Sequence, residues 1–145
     1  MKAVVQRVKK AQVSVEDEIV GRIGPGLLVL LAVSKEDEQS VIAKMAEKIV
    51  NLRIFADNND KMNLSLLDTG GEILVVSQFT LYGDCQKGNR PGFSQAAQAE
   101  KARDYYHQFI KYLKDKGAEV QTGKFGAKMQ VELINDGPVT FVIEI

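Results

Sequence analysis

The chain has one cysteine, one histidine, three prolines and no tryptophan among its 145 residues. A lone cysteine, Cys85, excludes an intramolecular disulfide and any CxxC redox or metal site. A lone histidine, His107, excludes HExxH and paired-histidine zinc spacings, and it forces any imidazole-based triad through one position of an expected helix. No metal and no cofactor is expected. Net charge is also missing: 19 Lys plus Arg balance 19 Asp plus Glu, so no overall field draws the molecule to a polyanion. Any nucleic-acid contact must come from local patches, for which Lys9-Lys10, Lys87 with Arg90, and Lys111, Lys114, Lys116, Lys124 and Lys128 are candidates. Each patch also reads as ordinary solvated surface. No apolar run approaches the ~18 residues of a membrane span, and "MKAVVQRV" is followed by polar residues rather than a signal-peptide core. The expectation is a cytoplasmic protein without membrane contact.

What is present is an ordinary globular composition, 45% hydrophobic and 26% charged, enough to bury one core. The segments 2–8 and 11–16 are short, partly alternating and β-branched, and 19–23 returns as a hairpin across Glu16, Asp17 and Glu18. After Gly24-Pro25-Gly26, "LLVLLAV" is an unbroken apolar run between turn residues, the pattern of a strand buried on both faces. Val41, Ile42, Met45, Ile49 and Leu52 recur at steps of three and four, which predicts a helix over 38–54. A second helix is expected over 94–116, with Gly117 as its stop. "EILVVSQFTL" at 72–81 reads as strand, as do "AEVQTG", "KMQVELI" and "VTFVIEI". Strands outnumber helices and βαβ repetition is absent. The expected fold is therefore a mixed α/β, α+β-like single domain over 1–145, with β-rich layered sheets and two main helices on one face.

Few residues offer strong acid–base chemistry. His107 sits beside Tyr105 and Tyr106 and reads as a half-exposed helix residue; Cys85 reads as an inert loop thiol despite Lys87 and Arg90 nearby. Asp84 and Asp136 suit surface turns as well as an acid–base pair. "GRIGPGLLVL" lacks the spacing of a phosphate-binding loop. Two segments stand out. In "SQFTL" at 77–81, two hydroxyls and an amide interrupt an apolar strand, and strand periodicity sets Ser77, Phe79 and Leu81 on one face with Gln78 and Thr80 on the other. An edge strand finishing at a turn explains that segment equally well. In "NDGPVT" at 135–140, Gly137-Pro138 lies within strand-like sequence, where proline removes a ladder donor and glycine packs nothing. A non-catalytic binding module whose Gly-Pro merely bends an edge strand is the alternative to an enzyme.

Together these segments resemble the D-aminoacyl-tRNA deacylase family, with its SQxTL and NxGPVT motifs, and the resemblance extends through "AVVQRV", "GLLVLLAV", "NLRIF" and "TGKFGAKMQVELINDGPVT". "NRPGF" departs from the family pattern at Gly92, where serine is usual. The resemblance implies a homodimeric hydrolase that releases D-amino acids from tRNA and also acts on glycyl-tRNA. It implies a cis Gly137-Pro138 bond reaching into the partner subunit's site, Arg7 orienting that element, and Ser77, Gln78, Phe79 and Thr80 forming the catalytic segment. Phe79, Phe125 and Met129 would wall the adenosine or aminoacyl end, although periodicity alone makes Phe79 and Met129 core residues. Two chemical schemes follow: Thr80 as nucleophile, or backbone amides at Phe79 and Thr80 as an oxyanion site with the substrate's 2′-hydroxyl assisting.

Overall fold

A computed structural model describes residues 1–145. In chain order the elements are β1 (Lys2–Val15), β2 (Glu18–Ile23), β3 (Gly26–Ala32), α1 (Ser40–Val50), β4 (Phe55–Ala56), β5 (Met62–Leu64), α2 (Leu66–Thr69), β6 (Glu72–Ser77), a 3₁₀ turn at Phe79–Tyr82, α3 (Ala99–Asp115), β7 (Glu119–Thr122) and β8 (Gln130–Glu144). β3 is central: it pairs antiparallel with β1 and parallel with β6, which in turn pairs parallel with β7. Its alternation explains the unbroken apolar run. Leu27, Val29 and Leu31 face one core with Ile42, Met45 and Ile49 of α1 and Tyr106, Phe109 and Leu113 of α3. Leu28 faces a second core with Val8, Val13, Ile23, Leu74 and Val76, closed by Met129, Val131 and Leu133. Each fully buried aliphatic chain contributes about 1.5–3 kcal/mol, so both faces demand apolar residues. The mixed α+β architecture, with both main helices on one face, is as expected. Gly26 sits where β3 crosses closest to β6; a Cβ there would lie 1.8 Å from the Glu72 carbonyl oxygen.

Several boundaries differ from the sequence reading. The two expected N-terminal strands are one, because at Lys9-Lys10 β1 exchanges β3 for β2 as its neighbour while staying paired with β8 throughout. Likewise, "KMQVELI" and "VTFVIEI" join through the Gly-Pro pair into the single strand β8. α1 stops at Val50, where the Asn51 side chain donates to Glu47 O at 2.8 Å, so 51–54 are not helical. α3 begins at Ala99 because the residues before it are tied to the chain just past the end of β3, with Lys35 N–H donating to Gln95 O and Ala97 N–H to Val33 O.

The interval "ADNNDKMNLSLLDTGG" at 56–71, rich in loop-forming residues, holds regular structure as well. β4 and β5 form a small ribbon, and α2 carries a capping box in which Ser65 and Asp68 satisfy each other's backbone N–H. No helix is long and apolar enough to cross a membrane.

Candidate active site

β6 ends at Ser77 because its partner ends there: Leu31 and Ser77 are the last paired residues. Gln78 N–H still donates to Leu31 O at 2.8 Å, and the chain then tightens into the 3₁₀ turn. This overturns the two-face arrangement expected for 77–81. A 3₁₀ turn leaves its first N–H groups without carbonyls of their own, so the backbone N–H groups of Phe79 and Thr80 have no partner within the turn. The Gln78 side-chain amide donates to Thr80 Oγ1, which has no histidine, lysine or carboxylate among its hydrogen-bond partners. Phe79 is 53% exposed and steadied by an edge-on contact with Phe93, centroids 5.0 Å apart.

Ser77, Gln78 and Phe79 open onto a cleft of about 500 Å³ whose other walls are Ala97, Ala99 and Ala102 at the start of α3, and Phe125, Ala127 and Met129 before β8. Three alanines make room that larger side chains would fill. Phe125 rests on Tyr106, centroids 5.7 Å apart, and the Tyr106 hydroxyl donates to Val75 O at 2.8 Å, tying the cleft wall to β6. Burial pushes the Tyr106 phenol well above its ordinary pKa, so it remains a neutral donor. The structure thus brings together Ser77, Gln78, Phe79, Phe125 and Met129, with Thr80 beside them in the turn. A hollow of about 570 Å³ between β1, β2 and β8 is larger, but its polar side chains bond one another: Arg22 Nε donates to Gln12 Oε1, and Gln12 Nε2 to Glu132 Oε2. Lys10 is the one cation on its lining outside that network, and no second free polar side chain stands with it in the way the cleft residues gather around Ser77.

Arg7, Gly137 and Pro138 lie elsewhere. β8 slips register against β1 between Gln6–Thr140 and Val8–Asn135, and residues 136–138 bulge outward there, with the Gly137-Pro138 bond cis and both residues exposed. The bulge is fastened at its base. Asn135 Oδ1 accepts from Val139 N–H at 2.7 Å, and its Nδ2 donates to Val139 O and Thr140 Oγ1, both at 3.1 Å. Arg7 Nε donates to Asp136 O at 2.9 Å and Nη1 to Ile54 O at 2.6 Å. Arg7 therefore holds the carbonyl preceding the Gly-Pro pair, with the Asp136 carboxylate 3.7 Å away. The sequence reading assigned no role to Asn135; its place as first residue of NxGPVT was the available signal.

Between the bulge and β6 lie β1 and β3, so three interstrand steps, about 14 Å, separate Gly137-Pro138 from the strand carrying Ser77. The rung of Arg7, through Leu27 and Ile73, is also four residues before Ser77. His107 is exposed on α3 against Tyr106, Cys85 is exposed, and Asp84 pairs through its backbone with Gly92.

Residues 4–144 match the family described as D-Tyr-tRNA(Tyr) deacylase. A D-aminoacyl-tRNA deacylase of Clostridioides difficile (strain 630) is 60% identical over 99% of this chain and 97% of its own length, and one of Thermosipho africanus (strain TCF52B) is 57% identical over the same shares. Among solved structures, a c-Myc DNA Unwinding Element Binding Protein superposes with a TM-score of 0.94 at 46% identity, covering 100% of this chain and 99% of that one. A probable eukaryotic D-amino acid tRNA deacylase superposes at 0.86 with 19% identity over 99% and 98%, a likeness of fold. With the two motifs set into a small-residue cleft and a fastened bulge, and with relatives matching end to end, the chain belongs to the D-aminoacyl-tRNA deacylase family of ester hydrolases.

Proposed function

We propose that this chain hydrolyses the ester of D-aminoacyl-tRNA and of glycyl-tRNA in the cytoplasm, clearing mischarged tRNA before translation. It works as a homodimer in which Gly137-Pro138 of each subunit completes the cleft of the other. One observation carries this reading: the bulge is exposed, fastened from both sides and remote from its own cleft. A rigid element so placed is suited to act on a neighbour.

Selectivity then rests on exclusion. The enzyme must accept many D side chains, so attractive side-chain contacts cannot discriminate; fixed main-chain oxygens occupying the volume of an L side chain can. Glycine has no side chain to exclude. For the chemistry, backbone N–H groups of Phe79 and Thr80 stabilise the oxyanion, and the neighbouring 2′-hydroxyl of the terminal nucleoside assists attack. The absence of a base on Thr80 Oγ1 supports this scheme over a threonine nucleophile.

The test compares release of amino acid from D-tyrosyl-, L-tyrosyl- and glycyl-tRNA. Hydrolysis of the first and third with the second spared is expected; a protein that binds all three and releases none is a binding module. Thr80→Ala should retain activity, and a tRNA ending in 2′-deoxyadenosine should react slowly. The opposite pair of results establishes the nucleophile scheme.

A further inference from the structure

Loop 123–129, "GKFGAKM", carries two lysines and no carboxylate. Its exposure alternates: Phe125, Ala127 and Met129 turn into the cleft half-buried, while Lys124 and Lys128 stand exposed outside it. Opposite, on α3, Arg103 is exposed with its guanidinium carbon 5.5 Å from the centre of the Phe125 ring. The four ion pairs of the molecule, Met1–Asp37, Lys2–Glu144, Arg7–Asp136 and Lys116–Glu47, engage none of these three cations. None donates a side-chain hydrogen bond, in contrast to Lys101, which donates to Lys35 O. The nearest carboxylates along α3 are Glu100 and Asp104, and Asp104 already accepts from Gln108. In a chain of zero net charge, three unpartnered cations around one apolar cleft are a local feature rather than a consequence of overall basicity.

We propose that Arg103, Lys124 and Lys128 form a phosphate track for the single-stranded 3′ end of the RNA. The strand's backbone runs along the outer rim while its terminal nucleoside and ester enter the cleft. Single-stranded nucleic acid separates flat apolar bases from charged phosphates, and the loop separates its side chains the same way, apolar inward and cationic outward. Arg103 can lie on the Phe125 face and still direct N–H groups at a phosphate, since its planar fork combines stacking with donation. This rests on the deacylase reading for the identity of the RNA and its ester, but its test does not require catalysis.

The experiment measures binding of uncharged tRNA against salt for wild type, Lys124→Ala/Lys128→Ala, Arg103→Ala and the charge-keeping Lys124→Arg/Lys128→Arg. Each lost phosphate contact lowers the salt slope by about 0.7, so the double alanine variant loses about 1.4. A fourfold rise in salt should then weaken wild type about sevenfold more than that variant, with the arginine pair behaving as wild type. Hydrolysis of a D-aminoacyl-adenosine, which has no phosphate, should be unchanged in both lysine double variants. An unchanged salt slope, or an equal loss on the adenosine ester, overturns the proposal. A wild type that binds tRNA with the expected slope yet cleaves neither ester retains the track and removes the deacylase reading instead.

Discussion

Asn135 and Gly137 show how single atoms define the bulge. A Cβ at Gly137, whose φ is +153°, would lie 2.5 Å from Val139 Cγ2 and 2.7 Å from Val139 N, while Val139 is itself buried. Gly137→Ala must therefore push Val139 and its bond to Asn135, at about 1–3 kcal/mol of stability, and lose activity or enantiomer discrimination; kinetics unchanged on both enantiomers would remove the bulge from the mechanism. Asn135→Ala, which strands the Val139 N–H, should cost about 1–3 kcal/mol by chemical denaturation and relax discrimination against L-aminoacyl-tRNA. Tyr82 supplies a pH prediction. Burial, then the carboxylates of Asp37 and Glu144, pushes its phenol from 10.0 up to about 12. A raised folded-state pKa stabilises fully below the unfolded value and is lost as pH climbs through the folded one, so stability should fall between pH 10 and 12. Tyr82→Phe should flatten that fall and remove one late-titrating phenolate from the absorbance titration.

At the scale of elements, much of the fold was legible because burial marks the chain: α1 and α3 show a helical period, and β3 shows an unbroken apolar run between turn residues. What was hidden depended on partners. β6 reads as strand to Leu81 but ends at Ser77 with β3, and Lys9-Lys10 reads as a break although the strand continues across a change of neighbour. Ser77, Gln78, Phe79, Phe125 and Met129 could be named from the matching segments; the facing alanines, Ala97, Ala99 and Ala102, and the separation from Gly137-Pro138 could not, since packing and strand order set them. The β1–β2 hairpin turns on Glu16 and Asp17, both at positive φ (50° and 65°), where non-glycine residues are strained. Glu16→Asn with Asp17→Gly should stabilise by about 0.5–1 kcal/mol, seen as a melting point raised by about 1–4 °C. The segment 57–69 should loosen first in acid. Asp57, bonded mainly by the N–H groups of Asn59 and Lys61, and Asp68, bonded by Ser65, both titrate below 3.8. Their contribution is present above that value and lost as pH falls toward the folded pKa, so amide protection there, measured against the unstructured rate at the same pH, should drop below about pH 4.

The whole molecule offers a direct test of shared sites. Ala99→Trp fills the cleft but leaves the bulge intact, and Gly137→Ala damages the bulge but leaves the cleft. Unfolded together and refolded at equal amounts, such chains should give half mixed dimers, each with one sound site of two, restoring about a quarter of wild-type activity. No recovery would mean that each chain serves itself. β8 has a second consequence. It bonds to β1 alone, so its far side is an open edge of fifteen residues, with Val142 70% exposed and Phe141 and Ile134 also in solvent. An edge that long and apolar invites unlimited strand addition, but a proline without an N–H and an outward kink at its midpoint deny an incoming chain a continuous row of bonds. Besides the selectivity role proposed for it, the Gly-Pro pair interrupts this free edge, and a straightened Gly137→Val/Pro138→Val strand should polymerise more readily than the natural one.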